Sequence, residues 1–194
     1  MWLLGRRLRR AGRAVHALDY PSTRQSLAEN CAFVHQQIAQ LRLNGPIDLV
    51  GHSMGGVIAR RLCLEYAELD IRRVVQIGSP NLGSALANNL GPFWAVRKAC
   101  GPSVNDLRVV PGPLQRDARI AAIASTGGCQ TRNGILRGPH DGAVTVRSAW
   151  AGSAKQYRTR TMHTLMPLSK DVAHHVLDAL RLPALHVHSP TSSA

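Results

Sequence analysis

Two kinds of apolar pattern alternate along this chain of 194 residues. Short continuous apolar runs are typical of buried strands. They cover Ile47–Val50, Val74–Ile77 and Ile120–Ala124, with a weaker run at Tyr157–Met162. In Ala14–Tyr20, apolar and polar residues alternate up to Pro21, and this pattern predicts a further strand.

Apolar residues three or four positions apart predict helices between these strands. Ser26 and Glu29 have the spacing of a capping box at the start of one helix, which ends at Asn44 and Gly45. Ser169 is the predicted cap of the last helix. The remaining predictions are helices at Trp2–Ala11 and Val57–Ala67, a turn-rich loop at Gly78–Ser84, and irregular helix and loop over Ala85–Pro113.

The alternation of strands and helices predicts an α/β fold. Parallel strands need crossover connections, so we expect a mostly parallel sheet with helices on both faces. The length of the chain suits one hydrophobic core, and we predict a single domain over residues 1–183 with a disordered tail over 184–194.

Arginine gives the chain a formal charge of +13 at neutral pH. A charge of this size is common in proteins that bind nucleic acid or anionic membranes. The arginines are scattered, however, with one dense cluster at Arg6–Arg13, and no nucleic-acid recognition motif accompanies them. We therefore expect no nucleic-acid partner. A peripheral contact with anionic lipid remains open.

The cysteines form no CxxC pair and no short disulfide framework, which indicates reduced thiols. The first ten residues place their charges after the apolar residues, unlike a secretory leader, and no apolar run could span a bilayer. The sequence as it stands predicts a soluble cytoplasmic protein. No metal site is expected.

The segment Gly51-His52-Ser53-Met54-Gly55-Gly56 lies between a predicted strand and a predicted helix. A GxSxG motif in this context predicts a sharp turn that exposes the Ser53 hydroxyl, with glycines where the backbone must approach its neighbours. The backbone N–H of Met54, at the start of the helix, would face negative charge developing on a bound carbonyl. His52 is a candidate to pack beside the turn or to contact a substrate.

Three more segments strengthen the pattern: Gly78-Ser79-Pro80-Asn81-Leu82-Gly83-Ser84, Asp141-Gly142-Ala143-Val144 and the late His163. Together with the GHSMGG motif they resemble the lipase and esterase branch of the α/β-hydrolase family. The resemblance implies Ser53 as nucleophile, Asp141 as the acid and His163 as the base, with Asn81 bordering the acyl pocket. It implies no metal or organic cofactor.

Other histidines and aspartates compete for these roles. His140, beside Asp141, is a weaker candidate base, whereas His174 and His175 fall within the last helix. Asp106 and Asp117 are alternatives for the acid, each with a more ordinary role as a helix cap or surface group. Asp19 and Asp48 lie in or at the end of predicted strands.

One part of the family pattern has no counterpart in the sequence. Relatives carry, before the helix that Trp2–Ala11 resembles, an apolar strand and a His-Gly loop that supplies a second oxyanion donor. The resemblance therefore predicts that the chain is N-terminally truncated: either Met1 is an internal methionine mistaken for a start, or the chain is a fragment of a longer protein. Loss of one such donor costs about two to three orders of magnitude in rate, so weak or absent catalysis is expected if the natural chain begins at Met1. Translation of the DNA upstream of Met1 tests this expectation.

The sequence thus predicts a serine hydrolase that cleaves a small-molecule or lipid ester. An acyltransferase or thioesterase would use the same residues. A different class of function is an inactive remnant of the fold that serves as a binding module through its basic surface. Binding that falls steeply with salt would favour the module, and ester turnover insensitive to salt would favour the enzyme.

Overall fold

The computed structural model describes residues 1–83, 114–128 and 136–181. The predicted irregular region Ala85–Pro113, Asp106 and the predicted tail over 184–194 lie outside the described residues. In chain order the elements are α1 Trp2–Arg10, α2 Leu27–Gln40, β1 Ile47–His52, α3 Met54–Glu65, β2 Ile71–Ile77, β3 Asp117–Ser125, α4 Val146–Trp150, β4 Ser153–Thr159, a 3-10 helix His163–Leu168, and α5 Lys170–Arg181.

The four described strands form one parallel sheet in the order β1-β2-β3-β4. Side chains from alternate positions of β2 and β3 enter opposite cores, as the period of two in a strand requires. Val75 and Ala121 pack with α1 and α5 on one face, whereas Val74 and Ile120 pack with α2 and α3 on the other. The predicted α/β fold with helices on both faces is confirmed.

Short-range sequence patterns correctly predicted where α2 begins and which face of α1 is buried. Ser26 Oγ accepts a hydrogen bond from the Glu29 N–H, and the Ser26 N–H donates to the Glu29 carboxylate, so the predicted capping box is present at the start of α2. The helix ends at Gln40, four residues before Asn44. Leu4 and Leu8, one turn apart, are the buried side chains of α1. The apolar spacing thus identified the faces that pack on the sheet.

The predicted strand Ala14–Tyr20 is wrong: these residues form no strand. Val15 packs in the core beside α1, whereas Leu18 and Tyr20 pack on the α2 and α3 side. The carbonyls of Val15 and Asp19 accept hydrogen bonds from arginine and glutamine side chains rather than from a neighbouring strand. Alternation alone cannot make a strand, because the ladder needs a partner. Within the described residues, β1 pairs only with β2.

The last strand is also shifted from its prediction. It covers Ser153–Thr159 instead of Tyr157–Met162, and its buried side chains are Ser153, Tyr157 and Thr159. The first buried residue of the strand, Ser153, is small and polar, so the start of the strand contains no apolar run that would predict it. The residues after Thr159 lead instead into the 3-10 helix. The sequence predicted neither this helix nor α4.

Gly56 is closely packed whereas Gly5 has space for a methyl group, so we expect alanine to have opposite effects on stability at these two helical positions. A methyl group at Gly56 would overlap the side chain of Ser79, whereas a methyl group at Gly5 would make ordinary contacts of 3.7 Å. Gly56→Ala should lower the free energy of unfolding by about 1–3 kcal/mol. Gly5→Ala should raise it by about 0.5–1 kcal/mol because alanine favours helix. Urea unfolding of both variants measures the difference, and equal effects would contradict the close packing at Gly56.

Candidate active site

Four segments with polar or special residues meet at the carboxyl edge of the sheet. Ser53 follows β1, Gly78 follows β2, Asp141 lies in the connection from β3 to β4, and His163 follows β4. Ligands of open α/β sheets bind at this edge, because the loops that leave the strands are adjacent there. Ser53, Asp141 and His163, which occur in this order along the chain, therefore lie at the same edge of the sheet.

Ser53 occupies a strained turn between β1 and α3. Its backbone angles are φ 53° and ψ −124°, outside the regions that side chains other than glycine normally adopt. The Ser53 N–H donates to the carbonyl of Ile77 at 2.9 Å, which fixes the turn against the end of β2. A methyl group at Gly51 would overlap the backbone of Gly55 and Gly56, so the turn needs glycine at that position.

Met54 begins α3 immediately after Ser53. The first N–H groups of a helix have no acceptor within the helix, and they form its positive end. The backbone N–H of Met54 is therefore available to an anion next to the Ser53 hydroxyl. The role of Met54 as an oxyanion donor stays a prediction.

Asp141 and His163 form a hydrogen-bonded pair. His163 Nδ1 lies 2.8 Å from Asp141 Oδ2, and the carboxylate is only 1% exposed. The other carboxylate oxygen accepts the N–H groups of Ala143 at 2.9 Å and Val144 at 2.7 Å. A carboxylate accepts hydrogen bonds, so Nδ1 of His163 donates this one, and the neutral tautomer that fits it has the lone pair on Nε2.

The Asp141–His163 pair lies against Gly78, at the end of β2 and beside the residue that binds the Ser53 turn. The His163 N–H donates to the Asp141 carbonyl at 2.9 Å. A methyl group on Gly78, which follows the acceptor of the Ser53 N–H, would lie 3.0 Å from Asp141 Oδ2 and 3.2 Å from His163 Nδ1. Among the described residues, the Ser53 hydroxyl itself makes no hydrogen bond to His163. Such bonds often tighten only when substrate is bound.

The ring of His52, the residue before Ser53, lies against the ring of His163. The two rings are 4.7 Å apart between centroids and tilted by 41°. Its Nε2 lies 3.0 Å from the His163 carbonyl. Burial, and secondarily the charge of His163, lower the pKa of His52 to about 4. His52 is therefore neutral near neutral pH, and its predicted contact with substrate stays a prediction.

Asn81, predicted to border the acyl pocket, lies in a buried network. Its side chain is 4% exposed and exchanges two hydrogen bonds of 2.9 Å with the Gln76 amide. Asn81 Nδ2 also donates to the Ala149 carbonyl, and Gln76 Nε2 donates to that of Gly56. These bonds join α3, β2 and α4 beneath the site. Sequence reasoning missed Gln76, although a lone amide within an apolar strand was a usable signal.

The competing residues have other partners. His140 is buried, and its Nδ1 accepts the Gly142 N–H. Asp117, expected as a helix cap or surface group, lies at the start of β3 and pairs with Arg119, and Asp48 pairs with Arg72. The described part of the chain contains no group of three side chains suited to a metal ion. Nor do its helices include one long and apolar enough to cross a membrane.

Comparisons with known proteins match this geometry at the level of the fold. A lipase of Bacillus licheniformis, BlEst2, superposes in its mature form with a TM-score of 0.53 at 19% identity, over 77% of this chain and 76% of the lipase. Its propeptide form gives a TM-score of 0.57 at 18% identity over 90% of this chain. This chain spans only 44% of that longer form.

A serine hydrolase involved in carbazole degradation, CarC, gives a TM-score of 0.54 at 15% identity, over 85% of this chain and 75% of CarC. The fold is that of the α/β-hydrolases. In sequence, a family model described as a domain of unknown function (DUF7379) matches residues 3–91. No curated protein matches. The α/β-hydrolase architecture thus rests on structure, at identities too low to transfer a substrate.

Proposed function

We propose that this chain is a serine hydrolase that cleaves carboxylic esters through an acyl-enzyme. The observation that carries the proposal is the buried Asp141–His163 hydrogen bond at the sheet edge, beside the strained turn that presents Ser53. Backbone strain at a serine costs free energy, and so does burial of a carboxylate that fixes an imidazole tautomer. Nucleophilic catalysis uses both of them.

In the proposed reaction the Ser53 oxygen attacks the ester carbonyl carbon while His163 Nε2 takes the hydroxyl proton. Asp141 stabilises the imidazolium that forms and does not itself take the proton. The intermediate collapses when the C–O bond to the alcohol breaks and His163 returns the proton to the leaving oxygen. Water then attacks the acyl-enzyme by the same steps, and the carboxylic acid leaves.

Negative charge develops on the carbonyl oxygen in both tetrahedral intermediates. The Met54 N–H, at the positive end of α3, is the proposed donor to this oxygen. A donor fixed in the fold needs no reorganisation during the reaction, so it stabilises the transition state more than water would. The reaction requires no metal or organic cofactor.

The surroundings of His163 support a substrate with an apolar part. Met162, Leu165 and Leu168, in and next to the 3-10 helix that His163 begins, are each about half exposed. Exposed apolar side chains beside a polar site commonly mark the region where a ligand binds. We therefore propose an ester with an apolar acyl or alcohol group, small or lipid. A thioester, or transfer of the acyl group to an acceptor other than water, would use the same residues.

Covalent labelling with a fluorophosphonate tests the proposal. The reagent phosphonylates an activated serine, and mass spectrometry should locate the adduct on Ser53. Labelling should disappear in Ser53→Ala and persist in Ser153→Ala, which removes a hydroxyl at the amino-terminal end of β4, opposite the carboxyl edge of the sheet. A wild-type protein that stays unlabelled, or an adduct that survives in Ser53→Ala, would contradict the assignment.

A further inference from the structure

His52 connects the nucleophile turn to the base, and none of the steps above uses it. It is the residue immediately before Ser53, and it contacts a residue 111 positions away through both its ring face and Nε2. The Nε2 partner is the His163 carbonyl at 3.0 Å. A backbone carbonyl can only accept, so Nε2 of His52 carries the proton and donates it.

This bond complements the contacts made by Asp141. The Asp141 carbonyl accepts the His163 N–H, and its carboxylate accepts Nδ1–H. Asp141 thus holds the backbone nitrogen and the ring of His163 but leaves its carbonyl to another partner. From these contacts we infer that His52 is a positioning residue. It donates its Nε2–H to the His163 carbonyl, and this bond aligns the base with the neighbouring Ser53. The inference rests on the proposed function.

The charge state of His52 suits this role. The charged or titratable groups that face it are His163, Asp141 and the amino group of Met1. Burial keeps His52 neutral above about pH 4, the value to which its pKa is lowered. A neutral ring places no second positive charge against the imidazolium that His163 becomes during catalysis. The neutral ring still carries the Nε2–H that the His163 carbonyl accepts.

The position of the base matters because proton transfer depends steeply on geometry. A misplacement of about 1 Å can lower a rate by about two orders of magnitude. Loss of the His52 donor should therefore affect the chemical step and leave the affinity for substrate unchanged. A residue that bound the substrate directly would instead change KM.

Glutamine and methionine at position 52 provide a matched pair. Both are unbranched and similar in length, but only glutamine carries an N–H at its end. We expect His52→Met to lower kcat by about 10- to 100-fold with KM unchanged, and His52→Gln to retain a kcat near the wild-type value. His35→Met, at a histidine on α2, is the control for loss of a half-buried imidazole and should keep wild-type kinetics. His52→Phe replaces the methionine variant if that variant does not fold.

The outcomes separate this inference from the proposed function. If the wild type fails to label at Ser53, the hydrolase assignment is lost. If the wild type labels and turns over ester but His52→Met has normal kcat, only the positioning role is lost. Equal loss of kcat in the glutamine and methionine variants would also overturn it, because the donor would then be irrelevant. A rise in KM alone would assign His52 to substrate binding.

Discussion

Alanine at Ser53 is expected to lower ester turnover by up to about 10⁶-fold, and alanine at His163 should cost nearly as much. The two residues act as one unit, because the serine oxygen is a poor nucleophile until an imidazole accepts its proton. The double variant should therefore be no slower than either single variant. Initial rates with a chromogenic ester, measured for the wild type and all three variants, complete the cycle.

His140→Ala is the matched control for this cycle. His140 is also a histidine near the site, but its Nδ1 accepts the Gly142 N–H and so supports the loop that carries Asp141. We expect a smaller loss of turnover in this variant, accompanied by a loss of stability. Additive effects of Ser53→Ala and His163→Ala would mean that the two residues do not share a proton. A loss at His140 as large as at His163 would move the base to His140.

Asp141→Asn is expected to lower kcat by about 10⁴-fold while leaving the fold nearly intact. The amide is the same size as the carboxylate, and its oxygen can still accept the N–H groups of Ala143 and Val144. The amide nitrogen would then face His163 Nδ1 and donate to it. This reverses the tautomer of His163, so that Nε2 carries a proton and cannot accept the one from Ser53.

Asp117→Asn tests the alternative acid with the same chemical change. Asp117 pairs with Arg119 at the amino-terminal end of β3, far along the strand from the site edge. Its replacement should leave kcat unchanged and have at most a small effect on thermal unfolding. A large loss of kcat at Asp117, or normal kcat in Asp141→Asn, would contradict the assignment of the acid. Steady-state kinetics and calorimetry of both variants decide between these results.

The local parts of the fold could be predicted from the sequence. The capping box depends only on Ser26 and Glu29, which are three positions apart. The continuous apolar runs of β2 and β3 are enough to predict that these two strands are buried. The strained turn at Ser53 was also accessible, because the glycines that its close contacts require stand at fixed offsets from the serine. Asp141 and His163 were named only through resemblance to a family.

Non-local partners account for what the sequence missed. Ala14–Tyr20 has the alternation of a strand, but it crosses between the two cores and pairs with no strand in the described part of the chain. The amide of Asn81 bonds to Gln76 and to the Ala149 carbonyl, and its predicted place beside the acyl pocket stays a prediction. The role of His52 depends on a carbonyl 111 positions away. No periodicity in the sequence encodes these contacts.

By itself, the sequence determined the alternation of strands and helices, the two buried faces of the sheet and the turn that carries Ser53. Each of these follows from side-chain period, capping or glycine at short range. Only the tertiary structure decided which carboxylate meets which imidazole, and that His52 reaches the backbone of His163. The physical reason is that parallel strands bring their carboxyl ends together whatever the length of chain between them, so residues far apart in sequence become neighbours at one edge.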